Sequence, residues 1–219
     1  MVLMRRRHFC AAMPLLLIGC GRGDPANAEP NERRPARQAR SDLYQCEGCE
    51  GALERPAAGL TNHARIGPGL DRGEALRIEG VVYQHDARTP ASCVVIYAYQ
   101  TNPEGLYANG SPETEASRRH GRLRAWVRTG GDGRYSFDTI KPAPYPNSDI
   151  PAHIHLTILE PGRRPYWIDD IVFTGEFGVT PAYRASMTNK GGDGIVTLGR
   201  TSGGQLLARR DIILERHPG

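Results

Sequence analysis

The stretch "PAHIHLTILEPG", Pro151 to Gly162, decides how the rest of the chain is read. Its middle is a short apolar run rich in β-branched residues and closed by a Pro-Gly turn, which is a strand pattern. In a strand, residues two apart point to the same face. His153 and His155 are therefore expected side by side on a rigid element.

Around this segment the sequence keeps the same grammar. "ALRIEGVVYQ", "ASCVVIYAYQ", "GRLRAWVRT", "GRYSFDTI" and "YWIDDIVFTG" read as strands. "GIVTLGR" and "QLLARRDIILE" flank "TSGG" as a closing hairpin. With 26 Gly and 17 Pro and few helical patterns, the expected fold is all-β. The specific expectation is an antiparallel β-sandwich of about eight strands with long loops. The segment from Gly175 to Asp193 is expected as a loop with one short helical turn.

The N-terminus reads differently. A basic "MRRRHFC" precedes the short apolar "AAMPLLLIG", too short to span a bilayer, so residues 1–19 are expected as a signal peptide. Arg6, Arg7 and Phe9 resemble a twin-arginine export signal. Leu17 to Cys20 resembles a lipobox, which makes Cys20 the lipidated first residue of the mature chain. Removing residues 1–19 takes away Arg5, Arg6 and Arg7 and no acid, so the net charge of +4 falls to +1. Nothing in that balance suggests nucleic-acid binding. Residues 20–44 are polar and Pro- and Arg-rich, the composition of a flexible tether. The domain is expected over 45–219. The implied location is the cell envelope, with membrane contact only through the lipid anchor. Oligomeric state is not legible.

Outside the cytoplasm Cys46, Cys49 and Cys93 are disulfide candidates whose pairing stays open. The CxxC of "YQCEGCEG" lacks the partners of a metal site and the βαβ context of a redox motif. "RTSGGQ" does not fit a phosphate loop. His63 is expected in a surface loop and His120, within "SRRHGR", in solvent. Trp126 and Trp167 are expected as core or pocket walls.

The chemistry gathers near the His pair. "KPAPYP" carries Tyr145 in a Pro-stiffened loop, and "TNPEGLYANG" carries Tyr107 at a strand end. Two imidazoles and two phenols make a set suited to a hard trivalent ion such as Fe(III), because a phenolate is a hard anionic donor. Zinc favours Cys and His instead.

In order and approximate spacing, "GVVYQHDARTPASCVVIYAYQTNPEGLY", "RAWVRTGGDGRYSFDTIKPAPYP" and "PAHIH" resemble the intradiol ring-cleavage dioxygenases, over about Ile78 to Gly175. The resemblance implies a β-sandwich binding one non-haem Fe(III) through Tyr107, Tyr145, His153 and His155. It implies cleavage of a catechol-type diol between its hydroxyls by O₂, giving a cis,cis-muconate-type product, with Tyr145 as the base. Two positions depart from the family. Ile150 stands where an Arg is usual, and Asp170 where a Gln is usual. With Asp149 close by, an acidic pocket would disfavour a carboxylated ring. A replacement cation is sought in Arg163 or Arg164. The competing readings are a ferric or catechol-binding envelope lipoprotein without turnover, a metal-free sandwich, and a zinc hydrolase.

Overall fold

The computed structural model describes residues 38–67 and 72–218. The signal peptide, Cys20 and the tether up to residue 37 lie outside the described residues. Of the segment expected as tether, Gln38 to Tyr44 are described, and they pack on the domain. Leu43 is fully buried, Ala39 bridges Arg216, and Arg40 pairs with Glu215 at 3.2 Å.

Two β-sheets form a sandwich. One holds β1 (His63–Arg65), β2 (Ala75–Tyr83), β5 (Arg134–Ile140), β9 (Leu198–Arg200), β10 (Leu206–Arg209) and β11 (Ile212–Ile213). Its order is β1-β5-β2-β10-β9, with β11 also on β2. The other holds β3 (Val95–Gln100), β4 (Arg124–Arg128), β6 (His153–Leu159), β7 (Tyr166–Phe173) and β8 (Ile195–Val196), in the order β4-β3-β6-β7-β8. The two short helices are α1 (Glu115–His120) and α2 (Pro181–Ser186), the latter inside the loop expected between Gly175 and Asp193.

The sandwich is as read, but the sheets are mixed. β1–β5, β2–β10, β2–β11 and β7–β8 are parallel pairs. Each joins segments far apart in sequence, so no turn signal announces it. The short β1, and the splitting of "GIVTLGR" into β8 and β9 and of "QLLARRDIILE" into β10 and β11, raise the described strand number above the expectation.

The core follows period-2 alternation. Ile96 and Ala98 of β3 and Ile154, Leu156 and Ile158 of β6 all point between the sheets. Their neighbours Tyr97, Tyr99, His153 and His155 therefore point to the opposite face. The segment around the 3-10 turn Cys49–Leu53 covers part of that outer face, where Trp126 Nε1 donates to the Gly51 carbonyl at 2.9 Å. Cys46 and Cys49 are disulfide-bonded to each other; Cys93 takes no part in that bridge.

One irregularity matters for function. Core positions on β7 run Tyr166, Ile168 and then Ile171, Phe173. The phase slips because Leu156 pairs with Ile168 and Ile154 with Ile171, leaving His155 opposite both Asp169 and Asp170. This is a β-bulge, one extra residue that re-aims side chains. No helix among the described residues is long and apolar enough to cross a membrane.

Candidate metal centre

Four side-chain atoms from three places in the sequence meet at one point. His153 Nε2 and His155 Nε2 are 3.0 Å apart. The Tyr107 hydroxyl lies 2.9 Å from His155 Nε2 and 2.6 Å from the Tyr145 hydroxyl. The Tyr145 hydroxyl lies 3.1 Å from His153 Nε2 and 3.5 Å from His155 Nε2. All four residues named as ligands from the sequence are brought together.

Local structure explains the placement of the phenols. After β3 the chain closes on itself: Asn102 Oδ1 accepts from the backbone N–H of Glu104 at 3.1 Å and Leu106 at 2.9 Å. That compact turn presents Tyr107. The Tyr145 loop is tied to it by Thr101 Oγ1 donating to the Ala143 carbonyl at 2.7 Å. Gly105, at φ +76°, lets the two loops touch; a Cβ there would sit 2.1 Å from the Pro144 carbonyl oxygen. The Gly of "NPEGLY" thus sets the distance between the two phenols.

The histidine tautomers are fixed by their outer partners. His153 Nδ1 lies 2.7 Å from the Pro151 carbonyl oxygen, which can only accept, so Nδ1 carries the proton. His155 Nδ1 lies 2.9 Å from Asp170 Oδ1, a carboxylate acceptor. Both Nε2 atoms then direct lone pairs at each other across 3.0 Å. Two facing lone pairs repel unless something positive stands between them. Donors about 2.0–2.1 Å from a shared ion stand about 2.9–3.4 Å from one another, close to the 2.6–3.5 Å spread measured among these four atoms. The donor set therefore fits a metal ion, and the ring nitrogens are held as outer-shell partners commonly hold metal ligands.

Without an ion the site is held neutral. Burial pushes the Tyr107 phenol well above its ordinary range, helped by its hydrogen bond with Tyr145. Burial also raises the Tyr145 phenol and lowers His153, the latter reinforced by His155. A bound cation reverses this preference and favours the phenolates.

The two departures are placed as follows. Asp170 faces the site but reaches the outer nitrogen of His155, so it orients a ligand rather than completing the inner set. Ile150 is 49% exposed and brings no charge. Arg164 lies over the Tyr44 ring at 4.8 Å, in the turn at the far end of β6, and is not a replacement cation.

Two expectations need correction. His120 is not solvated; it is 4% exposed and stacks on Tyr99 with ring centroids 3.9 Å apart. The charges around it in sequence belong to the exposed side of α1, while His120 falls on its buried side. His63 is on β1 rather than in a loop, 3.4 Å from Asp138. Sequence reading also missed Tyr99, whose ring stacks on His155 at 4.4 Å. Its signal was present: Tyr99 shares strand phase with Tyr97 and sits directly opposite His155.

A dioxygenase family profile, described as "Dioxygenase", matches residues 53–186, more than half of the chain and all four converging residues. The chain belongs to the intradiol ring-cleavage dioxygenase family. Catechol 1,2-dioxygenase 2 of Acinetobacter lwoffii is 28% identical over 169 residues, covering 64% of this chain and 60% of that protein. Catechol 1,2-dioxygenase 1 of the same organism is 29% identical over 147 residues, covering 55% of this chain and 46% of that protein. The chain thus spans three-fifths or less of the length of these curated relatives.

Among solved structures, the dioxygenase domain of a dioxygenase carbohydrate-binding fusion from Streptomyces sp. SirexAA-E superposes with a TM-score of 0.52 at 22% identity. That match covers 74% of this chain and 94% of that one. Catechol 1,2-dioxygenase of Acinetobacter radioresistens superposes at 0.54 with 18% identity, over 74% and 60% of the two chains. Both likenesses speak for the intradiol dioxygenase fold.

Proposed function

We propose that this protein is a ferric intradiol dioxygenase that opens a catechol-type ring between its two hydroxyls. The observation that carries the proposal is the convergence of two phenols and two Nε2 lone pairs on one point, with both imidazole tautomers locked from outside. Tyr107, Tyr145, His153 and His155 would hold the ion. When bound, ferric iron supplies the positive charge that stabilises the phenolates and the diol dianion and readies the ring for O₂. Pro151 and Asp170 keep the two Nδ1 protons and so keep both Nε2 atoms available as donors. Tyr145, on a loop rather than a strand, takes a diol proton at its phenolic oxygen. The Tyr107 hydroxyl is braced by the self-closed turn and stays in place. Orientation and fixed charge, not a mobile nucleophile, are what the chain contributes.

The substrate reading is a neutral catechol. Ile150 offers no cation to a ring carboxylate, and Asp170 adds negative charge beside the site. The cell envelope, reached by export and a lipid on Cys20, is the proposed location.

The test is a visible absorption spectrum of the iron-loaded protein before and after catechol under air. The expected result is a phenolate-to-iron band that moves to longer wavelength with catechol, followed by oxygen uptake and muconate absorbance. No band after iron loading would overturn the ligand set. The exposed, uncharged Ile150 favours one second reading, a ferric catechol binder without turnover; a band shift with no oxygen uptake would select it.

A further inference from the structure

Among the described residues four large hydrophobic side chains are exposed: Leu53 at 57%, Leu106 at 54%, Ile150 at 49% and Phe177 at 59%. Three of the four lie at one end of the sandwich. Antiparallel register sets the end of β3 beside the start of β6, with Gln100 opposite Ile154. It sets the end of β7 beside the same point, with Val172 opposite His153. The loops that leave β3, enter β6 and leave β7 therefore emerge together, where His153 begins its strand. Leu106 is on the first loop, next to Tyr107. Ile150 is on the second, between Tyr145 and His153. Phe177 is on the third.

Backbone contacts hold these loops to one another. Gly105 of the first touches Pro144 of the second. Gly178 of the third has φ +80°, and a Cβ there would lie 2.6 Å from the Asp149 carbonyl oxygen and 3.0 Å from the Pro151 nitrogen. Phe177 and Ile150 thus flank one close contact. Lys141 Nζ donates to Glu176 Oε1 at 2.6 Å, tying the third loop to the root of the second. The charges nearby do not form a cationic rim. Glu104 and Asp149 are exposed acids, Lys141 is paired with Glu176, and Arg184 stands exposed on α2. Singly exposed apolar side chains are ordinary, but a group of them on loops that carry site residues marks a surface that something apolar covers.

We propose that Leu106, Ile150 and Phe177 form an apolar collar that receives a non-polar substituent of the diol ring. The substrate class is then a catechol carrying an alkyl or aryl side chain, in preference to bare catechol or a carboxylated ring. This inference rests on the dioxygenase reading of the site. The two hydroxyls engage the ion and Tyr145, and the substituent, on a ring carbon away from them, lies along the loops. The occupant is the substrate rather than another macromolecule because the collar is continuous with the site: its residues adjoin Tyr107 and Pro151, which hold or brace the ligand set. Covering the collar removes apolar surface of both partners from water, a gain that a carboxylate on the ring would forfeit.

The test follows oxygen uptake by iron-loaded protein with catechol and with 4-methyl-, 4-ethyl-, 4-propyl- and 4-butylcatechol. Ring electronics change little beyond methyl, so the later members read contact alone. From ethyl to butyl, kcat/KM should rise about two- to fourfold per methylene, since a half-exposed collar covers each group only in part. The compound 3,4-dihydroxybenzoate should react more slowly than 4-methylcatechol, and the reverse order overturns the proposal. Phe177→Ser and Leu106→Ser change exposed positions, where the fold tolerates substitution. Each should lower the ratio of kcat/KM for 4-butylcatechol to that for catechol about threefold or more, through KM. A flat series, or an unchanged ratio in both variants, overturns the collar while turnover of catechol itself upholds the dioxygenase reading. If no diol is turned over, that reading falls, and calorimetric binding of the same series under nitrogen decides on the collar separately: affinity that does not grow with chain length overturns it. A flat series with loss of self-association, or of binding to phosphatidylcholine vesicles, in Phe177→Ser gives the patch to a second copy or a lipid surface and overturns the proposal.

Discussion

His155 and Asp170 face each other across neighbouring strands, Nδ1 to Oδ1 at 2.9 Å, and the contact exists because the bulge on β7 turns Asp170 toward the His155 face. The carboxylate fixes the ring's proton on the outer nitrogen and adds electron density to the inner one. Asp170→Asn keeps the shape and removes the charge. Iron affinity should fall about tenfold to a hundredfold, a loss typical for outer-shell partners of metal ligands. Chelator competition measures it, and a shifted phenolate-to-iron band should accompany it. Unchanged affinity would show that the pairing is incidental.

Gly105 decides whether the two tyrosine loops can meet. Its φ of +76° and the 2.1 Å approach of a notional Cβ to the Pro144 carbonyl leave no room for a side chain. Gly105→Ala should cost about 1–3 kcal/mol of stability through backbone strain. It should also spread Tyr107 and Tyr145 apart, weakening iron binding beyond what the stability loss accounts for. Denaturant melts and iron titration on the same preparation separate the two effects.

His120 makes stability pH-dependent. Desolvation lowers its folded pKa from 6.5 to about 4, with His155, Arg124 and Arg119 pushing the same way and Glu50 opposing. The unfolded chain then binds more protons than the native one between those values, so stability rises with pH there. The contribution is complete above about 6.5 and is lost as pH falls toward 4. His153, also lowered by burial, adds a slope of the same sign in metal-free protein. Denaturation midpoints across this range should show the loss on acidification, and His120→Asn should flatten it. A slope unchanged in that variant would place the acid sensitivity elsewhere.

Position 150 tests the missing charge. Ile150 is half exposed, so Ile150→Arg should alter stability by less than about 0.5 kcal/mol. If charge at this position stabilises the bound diolate, oxygen uptake with catechol should rise in the variant. An oxygen electrode under saturating catechol gives the comparison, and an equal rate would mean that the site works without that charge.

Much of the site was legible because it rests on local rules. Alternation along "AHIHLTIL" puts His153 and His155 on one face wherever the strand lies. Pro and Gly in "KPAPYP" and "TNPEGLY" put Tyr145 and Tyr107 in short, stiff loops rather than on core faces. Asp170 was legible only to within one residue. A bulge adds a residue to one strand, and nothing in "YWIDDIVF" tells which Asp turns outward. His120 was misread because its neighbours are charged, whereas the burial of a short helix is decided by what it packs against.

The sequence by itself determined the sandwich class, the strand phases outside the bulge on β7, and the pairing of His153 with His155, because side-chain direction in a strand has a fixed two-residue period. Tyr107 and Tyr145 came from their Pro- and Gly-bearing loops and the family resemblance. Only the tertiary structure decided the mixed pairing of the sheets, the seating of Asp170 on His155, and the gathering of Leu106, Ile150 and Phe177 at one end of the sandwich. Those relations join segments tens of residues apart. They depend on strand register and on which faces are covered, quantities fixed by the packing of the whole chain rather than by any stretch of it.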